Sequence, residues 1–356
     1  MFNKNFKINN KVIGDNRPVY FIADLASNHD QNLARAKKLI SLAKKSGADA
    51  VKFQHFTART LVSNREFLKL DLKSHQSKWQ DSTYNIYKKN ELLFKWTKVL
   101  ANYAKKIGID FLTSPYSLKL VDKVNKYIPA FKIGSGDITY HQIIDKICSK
   151  KKPVIIATGA SSLKEVNLAV KCIKKTKNKN ICLMQCNTNY TASAKNFSNL
   201  NLKVLLSYKK KYKIITGLSD HTIGHLSVLS AVSMGASVIE KHFTDNNNRI
   251  GPDHYFSMNP KTWSTMVKKV RILELAMGDG NKKIEKNEKE TFVIQRRCII
   301  LKNNKKKKQK LKKSDLVFLR PNIIGGYQPY EYKKVVGKVL KKNKFAGEAL
   351  LKNDFK

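Results

Sequence analysis

The feature that most constrains the fold of this 356-residue chain is a regular alternation of short apolar segments with longer helical patterns. The helical patterns carry end signals: Gly47 and Gly108 each follow one, and Ser162 with Glu165 has the spacing of a capping box. Asn259, before a proline, marks a further helix start. Apolar strands alternating with helices predict a closed parallel (β/α)8 barrel, an α/β fold, with a doubly wound open sheet as the alternative. The strand-like segments read YFIADLA, DAVKFQ, DFLTSPY, AFKIGSGD, PVIIATGA, ICLMQCN, IITGLSDHT and SVIEKHFT.

Nearly every one of these segments stays apolar until its C-terminal end, where polar residues follow. Catalytic groups of (β/α)8 barrels collect at this end of the strands, so these residues predict the rim of one active site. Lys52 and Lys132, with hydroxyl groups nearby, suit a phosphate and an adjacent carboxylate. The strand-end residues are Asp24, Lys52, Gln54, Ser114, Lys132, Ser135, Thr158, Asn187, Ser219, Asp220, His221, Glu240 and His242.

The last segment is unusual because Glu240, Lys241 and His242 follow an apolar run where more aliphatic residues are expected. Unpaired buried charges are costly, so these groups are expected to meet partners. His221 ends the preceding strand, and two imidazoles at neighbouring strand ends can form a metal site completed by water, substrate oxygen or a carboxylate. A hydrogen-bonded core histidine is the alternative for each. Strand alternation places Glu240 and His242 on one face and Lys241, with no evident partner, on the other.

The net charge of +44 invites a nucleic-acid interpretation, but only nine of the 70 basic residues are arginine. Lysines spread along the chain, with one dense run from Lys302 to Lys313. Sequence-specific nucleic-acid binding depends on arginine and stacking aromatic residues at defined positions, and no such motif occurs here. A solvated basic surface that attracts anionic substrates is favoured over a nucleic-acid or anionic-surface binder.

The remaining signals concern compartment and domain organisation. The five cysteines form no CxxC pair and no apolar run is long enough to span a bilayer, so a reduced, cytoplasmic protein without membrane association is expected. A charged linker is expected at 281–290, between a barrel domain at 1–280 and a compact β-rich module at 291–356. Residues 60–90 form a long connection, whose aromatic residues either cover a sugar as a lid or pack the loop.

Six motifs follow one another along the chain: IADLASNHD, AVKFQ, KIGSGD, GLSDHTIGH, IEKHFT and GPDHYFSMNP. Their order and spacing resemble those of the N-acetylneuraminate (sialic acid) synthase family over nearly the whole chain. The tail, with VFLRP and VVGKVLKKNKFAGEAL, resembles the antifreeze-like SAF domain that follows the barrel in that family.

The resemblance implies a condensation of phosphoenolpyruvate with the open-chain aldehyde of an N-acylated amino sugar, giving a nine-carbon 2-keto acid and phosphate. Residues matching His221 and His242 would bind a divalent metal, Mn²⁺ or Mg²⁺. Arg320 would reach the active site of the other subunit in a domain-swapped homodimer, and Gln54 is also assigned to the substrate. The implied phosphoenolpyruvate contacts are Lys52, Ser114, Lys132, Ser135, Thr188 and Ser219, and the implied catalytic residues are Asp24, Asp137, Glu240, Asp253 and Tyr190.

Three departures from the family pattern concern the substrate. Asp24 and Asp137 stand where glutamate is usual, so each carboxylate reaches about 1.5 Å less far. Ala157 replaces a phosphate-binding serine, with Thr158 as a candidate substitute donor, and Gln31 replaces a glycine. The acceptor therefore stays open between N-acetylmannosamine and 2,4-diacetamido-trideoxy hexoses. The alternative enzyme is a metal-dependent barrel lyase or hydrolase that does not use phosphoenolpyruvate.

Overall fold

The computed structural model describes residues 1–71 and 75–355. The chain divides into two compact units, Met1–Gly278 and Asp279–Lys356. The segment predicted as a linker, residues 281–290, contains a 3-10 helix at Lys286–Glu288 and the first residues of an α-helix. Within the described ranges, every helix is too short or too polar to span a membrane.

A short antiparallel hairpin, β1 (Asn5–Ile8) and β2 (Lys11–Gly14), precedes the barrel and was not predicted. Its Phe6, Ile8 and Ile13 are buried in the same apolar cluster as the side chains inside the barrel. The hairpin also forms hydrogen bonds to aspartates at the starts of the second and third barrel strands. It therefore closes the N-terminal end of the barrel, which leaves the opposite end for a site.

The first unit is built around a closed barrel of eight parallel strands, which confirms the predicted fold class. Its strands are β3 (Tyr20–Asp24), β4 (Ala50–His55), β5 (Asp110–Pro115), β6 (Phe131–Ile133), β7 (Val154–Ala157), β8 (Ile181–Cys186), β9 (Ile215–Asp220) and β10 (Val238–His242). Each strand pairs with the next along the chain, and β10 pairs with β3 to complete the ring. The strands are apolar on both faces because one face lines the barrel interior and the other packs under helices.

The helices of the first unit begin and end largely where the sequence signals place them. Ser162 and Glu165 form the predicted capping box, Asn259 caps its helix as predicted, and Gly108 has a left-handed φ of 72° at a helix end. The helices are α1 (Leu33–Lys45), α2 (Ala58–Leu61), α3 (Asn64–Phe67), α4 (Thr83–Lys89), α5 (Trp96–Ile107), α6 (Leu118–Asn125), α7 (His141–Ser149), α8 (Leu163–Lys175), α9 (Val204–Tyr212), α10 (Leu226–Ser233) and α11 (Pro260–Met277).

The second unit is the compact, β-containing module that the tail predicts. β11 (Cys298–Leu301) pairs antiparallel with β12 (Leu316–Leu319), and isolated bridges extend the pairing to residues 326 and 339–355. Two short helices, α12 (Lys289–Ile294) and α13 (Tyr332–Val335), complete the unit. Its own apolar core consists of Ile299, Leu301, Leu311, Tyr327, Val335, Leu340, Leu350 and Phe355.

Candidate active site

Alternation along the barrel strands decides which side chains enter the site. On β10, Val238 belongs to the apolar cluster inside the barrel, so Glu240 and His242 share its inward face, whereas Lys241 lies on the outward face. On β4 the inward residue Ala50 is followed by Lys52 on the same face. The inward face thus changes from apolar to ionisable along these two strands, and their charged ends form a polar floor above the barrel core.

These residues line a cavity of about 420 Å³ at the C-terminal end of the strands. Of the predicted site residues in the first unit, Ser114, Thr158, Asn187 and Asp220 lie outside its lining. Ser114 is buried on β5, and its hydroxyl group has no hydrogen-bond partner among the described residues. Arg320 is an exposed residue of the second unit. The cavity brings together Asp24, Lys52, Gln54, Lys132, Ser135, Asp137, Thr188, Tyr190, Ser219, His221, Glu240, His242 and Asp253.

The floor of the cavity is a buried network of two lysines and two carboxylates. The Lys52 ammonium lies 2.8 Å from Asp24 and 3.2 Å from Glu240, and the Lys132 ammonium lies 3.0 Å from Glu240. Ser219 donates a further hydrogen bond of 3.1 Å to Glu240. The network is therefore charge-balanced, with two positive and two negative groups.

The pKa values of this network follow from burial opposed by charge pairing. Burial alone would raise the pKa of Glu240, but Lys132 and Lys52 lower it to about 2. Burial and the nearby charge of Lys52 lower the pKa of Lys132, although Glu240 partly offsets that effect. The second oxygen of Glu240, Oε2, is buried without a hydrogen-bond partner among the described residues. One carboxylate oxygen therefore stays available at the floor.

The two predicted metal ligands lie side by side, with ring centroids 5.4 Å apart. The Nδ1 atom of His221 is 2.8 Å from the carbonyl oxygen of Asn187. Because a carbonyl oxygen only accepts, Nδ1 carries the proton and Nε2 keeps its lone pair. Burial, followed by the neighbouring His242, lowers the pKa of His221 to about 3, so the imidazole is neutral. Nδ1 of His242 is buried without a partner among the described residues.

These observations fit two imidazole ligands of one divalent cation, because His221 and His242 each present a ring nitrogen to the cavity that has no hydrogen-bond partner among the described residues. No group of three histidine, cysteine or acidic side chains in residues 1–71 and 75–355 is arranged to hold a metal. Water or substrate oxygen would therefore have to complete the coordination, as is usual for metal sites that act on a substrate.

Lys241, whose partner was not evident from the sequence, forms a buried ion pair with Asp220 on the outward face of the neighbouring strand. It also donates to the carbonyl oxygen of Thr222 at 2.6 Å. Asp220 in turn accepts hydrogen bonds from Ser227 at 2.6 Å and from Thr222 at 2.9 Å. Asp220 directly precedes His221, so this network fixes the end of the strand that carries one imidazole.

Other predicted residues occupy the rim. Tyr190 packs against His221 with ring centroids 4.2 Å apart. Asp253 accepts a hydrogen bond of 3.0 Å from the backbone of Ser27. Burial raises the pKa of Asp137 to about 6. Thr158, the candidate substitute phosphate donor, instead hydrogen-bonds the carbonyl oxygen of residue 184 and a tyrosine of α9, and it does not line the cavity.

Several cavity residues were not assigned from the sequence. Ala157 and Cys186 end β7 and β8, where strand alternation places them on the inward face. The others lie in the connections between strands, where no periodic pattern marks the direction of a side chain. Trp79 and Tyr87 belong to the 60–90 connection, for whose aromatic residues the sequence allows two roles, covering a sugar or packing the loop. The additional lining residues are Ser27, Phe56, Leu61, Trp79, Ile86, Tyr87, Asn90, Tyr116, Gly134, Gly136, Ala157, Cys186 and Pro252.

Fold and cavity together define a (β/α)8-barrel enzyme with its active site at the C-terminal ends of the strands. Residues 39–282 match the NeuB family, and residues 296–356 match the SAF domain. The chain belongs to the NeuB family, which confirms the family resemblance seen in the sequence.

Named relatives are similar over nearly their whole length. The chain is 36% identical to N,N'-diacetyllegionaminic acid synthase of Legionella pneumophila, with 98% of each chain covered. It is 38% identical to N,N'-diacetyllegionaminic acid synthase of Campylobacter jejuni, with 90% of this chain and 96% of the relative covered. Among solved structures, an N-acetylneuraminic acid (sialic acid) synthetase from Leptospira borgpetersenii superposes with a TM-score of 0.72 at 27% identity, covering 82% of this chain and 95% of that one.

Proposed function

We propose that this enzyme condenses phosphoenolpyruvate with the open-chain aldehyde of an N-acylated amino sugar and releases a nine-carbon 2-keto acid and phosphate. The observation that carries the proposal is the pair of buried lysines beside two imidazoles in one cavity. The relatives named as legionaminic acid synthases support the same class of product.

The lysines suit the phosphate and carboxylate of phosphoenolpyruvate. Before substrate binds, Glu240 balances both Lys52 and Lys132. An incoming phosphate takes over part of that positive charge, and the same lysines then stabilise it as the leaving group. Phosphoenolpyruvate binding thereby weakens the ion pairs of the two lysines with Glu240. The Oε2 atom of Glu240 is already without a partner among the described residues.

The reaction forms a C–C bond and a C–O bond between water and C2, and it breaks the C–O bond to phosphate. Of the two protons of that water, one goes to the aldehyde oxygen and the other leaves with the phosphate. C3 of the enol phosphate attacks the aldehyde carbon, and the aldehyde oxygen becomes a hydroxyl group. Water adds to C2 while a carboxylate accepts its proton; the unpartnered oxygen favours Glu240, and Asp24 stabilises the positive charge that develops at C2. The C2 hydroxyl then loses its proton as phosphate departs, leaving the ketone.

His221 and His242 are proposed to hold Mn²⁺ or Mg²⁺. Such a cation, when bound, supplies Lewis-acid polarisation of the aldehyde oxygen. Tyr190 packs against both rings, with centroids 4.2 and 6.0 Å away, and so limits their movement. We also propose a homodimer in which Arg320 of each chain serves the cavity of the other chain.

The test is incubation with phosphoenolpyruvate, Mn²⁺ and a panel of N-acylated amino sugars, with phosphate release and product mass as readouts. His242→Ala is expected to abolish phosphate release while leaving the unfolding temperature near that of the unmodified protein. Phosphoenolpyruvate should raise the unfolding temperature by mass action. Failure of phosphoenolpyruvate to raise the unfolding temperature, together with no phosphate release, would favour the alternative of a metal-dependent lyase or hydrolase.

A further inference from the structure

The connections that follow β3 and β10, residues 25–32 and 243–259, are joined by a cluster of hydrogen bonds and ion pairs. The centre of the cluster is Asp30, whose own side chain does not line the cavity. Nε2 of His254 donates to the Asp30 carboxylate at 2.8 Å, and Nδ1 of the same ring lies 2.7 Å from the hydroxyl oxygen of Thr244. The His254 side chain is fully buried, so the protein holds its ring at both nitrogens.

Two arginines complete the cluster around Asp30. Arg249 approaches its Oδ2 atom through Nε at 2.8 Å and through Nη2 at 2.7 Å, and Nε of Arg35 lies 3.0 Å from the same oxygen. Arg35 also donates two hydrogen bonds to Asp245, at 2.6 and 3.1 Å. A guanidinium group pairs with carboxylates in a fixed geometry that lysine lacks. Two arginines at one aspartate, in a chain whose basic residues are mostly lysine, therefore indicate a position defined by geometry as well as charge.

The cluster connects directly to a residue of the cavity, because Asp253 precedes His254 and lines the cavity. The Asp253 carboxylate accepts a hydrogen bond of 3.0 Å from the backbone N–H of Ser27, and its backbone carbonyl oxygen accepts one of 2.5 Å from the hydroxyl group of Ser257. Ser27 and Asp30 belong to one connection, and Asp253 and His254 belong to the other. These two contacts between the connections fix the Asp253 carboxylate relative to β3.

The local packing leaves little room for another arrangement of the cluster. A methyl group added at Gly251 would lie 2.7 Å from Cδ2 and 3.2 Å from Nε2 of His254. Asp30 itself has a left-handed φ of 47°. Such a backbone conformation persists outside glycine when the surrounding contacts hold it in place.

We propose that Asp30 is a positioning residue for catalysis, which acts through His254 to hold the Asp253 carboxylate in the cavity. This inference rests on the proposed function, because that function gives Asp253 a role in turnover. Asp30 and His254 do not line the cavity, and the lysines proposed to bind phosphoenolpyruvate lie at its floor. Disturbing the cluster should therefore lower kcat and leave phosphoenolpyruvate binding largely intact.

Asp30→Asn is the first test, because asparagine keeps the size of the side chain and tolerates the left-handed φ of this position. The substitution removes the charge that pairs with Arg35 and Arg249, and it replaces one carboxylate oxygen by a group that cannot accept a hydrogen bond. We expect kcat for phosphate release to fall about 10-fold or more, because a misplaced catalytic group is costly. KM for phosphoenolpyruvate should stay within about twofold of that of the unmodified protein.

Asp49→Asn is the matched control for a purely structural effect. Asp49 pairs with Lys11 at 2.6 Å and accepts a hydrogen bond of 2.8 Å from the backbone of Phe21. Its side chain is 17% exposed, close to the 22% of Asp30, but it directly precedes β4, at the end of the barrel opposite the cavity. Asp49→Asn should therefore lower the unfolding temperature about as much as Asp30→Asn, while kcat stays unchanged.

Two further variants test the route from Asp30 to Asp253. In an Asp253→Asn background, Asp30→Asn should lower kcat much less than it does in the unmodified protein, because the carboxylate that it positions is already absent. Gly251→Ala should lower kcat without removing any charge, because its methyl group would displace the ring of His254.

Hydrogen exchange followed by mass spectrometry reports on the position of Asp253 independently of turnover. Peptides covering residues 25–31 and 246–257 should exchange faster in Asp30→Asn and in Gly251→Ala than in Asp49→Asn. The reason is that the backbone N–H of Ser27 loses its acceptor when Asp253 moves.

The outcomes separate this proposal from the proposed function. If the unmodified protein releases no phosphate with any amino sugar, the proposed function fails, and the exchange result alone decides whether Asp30 holds Asp253. Exchange rates that Asp30→Asn leaves unchanged overturn the proposal. Equal losses of kcat in Asp30→Asn and Asp49→Asn, or additive effects of Asp30→Asn and Asp253→Asn on kcat, also overturn it.

Discussion

Lys241→Met tests how much the buried ion pair between Lys241 and Asp220 stabilises the end of the strand that precedes His221. The substitution removes one partner of the pair and leaves the other buried. The side chains of Lys241 and Asp220 are 2% and 0% exposed. Breaking such a pair leaves an uncompensated buried carboxylate and costs about 3–5 kcal/mol. At about 2 °C for each kcal/mol in a unit of this size, the unfolding temperature should fall by roughly 6–10 °C.

Tryptophan fluorescence reports this transition selectively, because the three tryptophans, at positions 79, 96 and 263, all belong to the first unit. The double variant Asp220→Asn/Lys241→Met removes both charges, so its destabilisation should be smaller than the sum of the two single changes. Lys98→Met, at an exposed lysine of α5, is the control and should change stability by no more than about 0.5 kcal/mol. An unfolding temperature for Lys241→Met within 2 °C of the unmodified protein, or additive single and double variants, would refute the reasoning.

Three further predictions concern the cavity. Burial raises the pKa of Asp137 to about 6, so its carboxyl group is neutral below that pH and kcat/KM should rise with pH through about 6. Asp137→Asn should remove this inflection from the pH profile. A pH profile that the substitution leaves unchanged would exclude Asp137 as its source. Gly159→Ala would place a methyl group 2.5 Å from a methyl carbon of Thr188 and 2.9 Å from the Ser135 hydroxyl oxygen. Because Thr188 and Ser135 are proposed to contact phosphoenolpyruvate, KM for phosphoenolpyruvate should rise. An unchanged KM would indicate that these two residues do not bind that substrate. Mixing Arg320→Ala subunits with His242→Ala subunits should restore part of the activity that each lacks alone, if Arg320 acts on the other subunit's cavity; no recovery would contradict the swap.

The barrel and most of its cavity were predictable because they depend on local patterns. Apolar runs with polar C-terminal ends identify the strands, and alternation along them assigns Glu240 and His242 to one face. The partner of Lys241 depends instead on the register between two strands, which a single sequence does not specify. The placement of Trp79, Ile86 and Tyr87 in the cavity depends on how the aperiodic 60–90 connection folds back over the barrel.

Thr158 is another residue whose side-chain direction the sequence does not specify. Thr158 was a reasonable substitute donor by its position after β7, yet its hydroxyl group is directed to the carbonyl oxygen of residue 184 on the neighbouring strand. Residues inside a strand inherit a direction from its pleat, whereas the residue just after a strand does not. Ala157, the last residue of β7, keeps the inward direction and lines the cavity.

The central claim is that one cavity holds an enol phosphate on Lys52 and Lys132 beside the aldehyde of an amino sugar. The most direct measurement is the mass of the product formed from phosphoenolpyruvate and each of a panel of N-acylated amino sugars in the presence of Mn²⁺, with phosphate quantified in the same reaction. The account predicts a 2-keto acid three carbons longer than the sugar and one phosphate for each molecule of product. Phosphate released without a new C–C bond, or no reaction with any amino sugar, would contradict it.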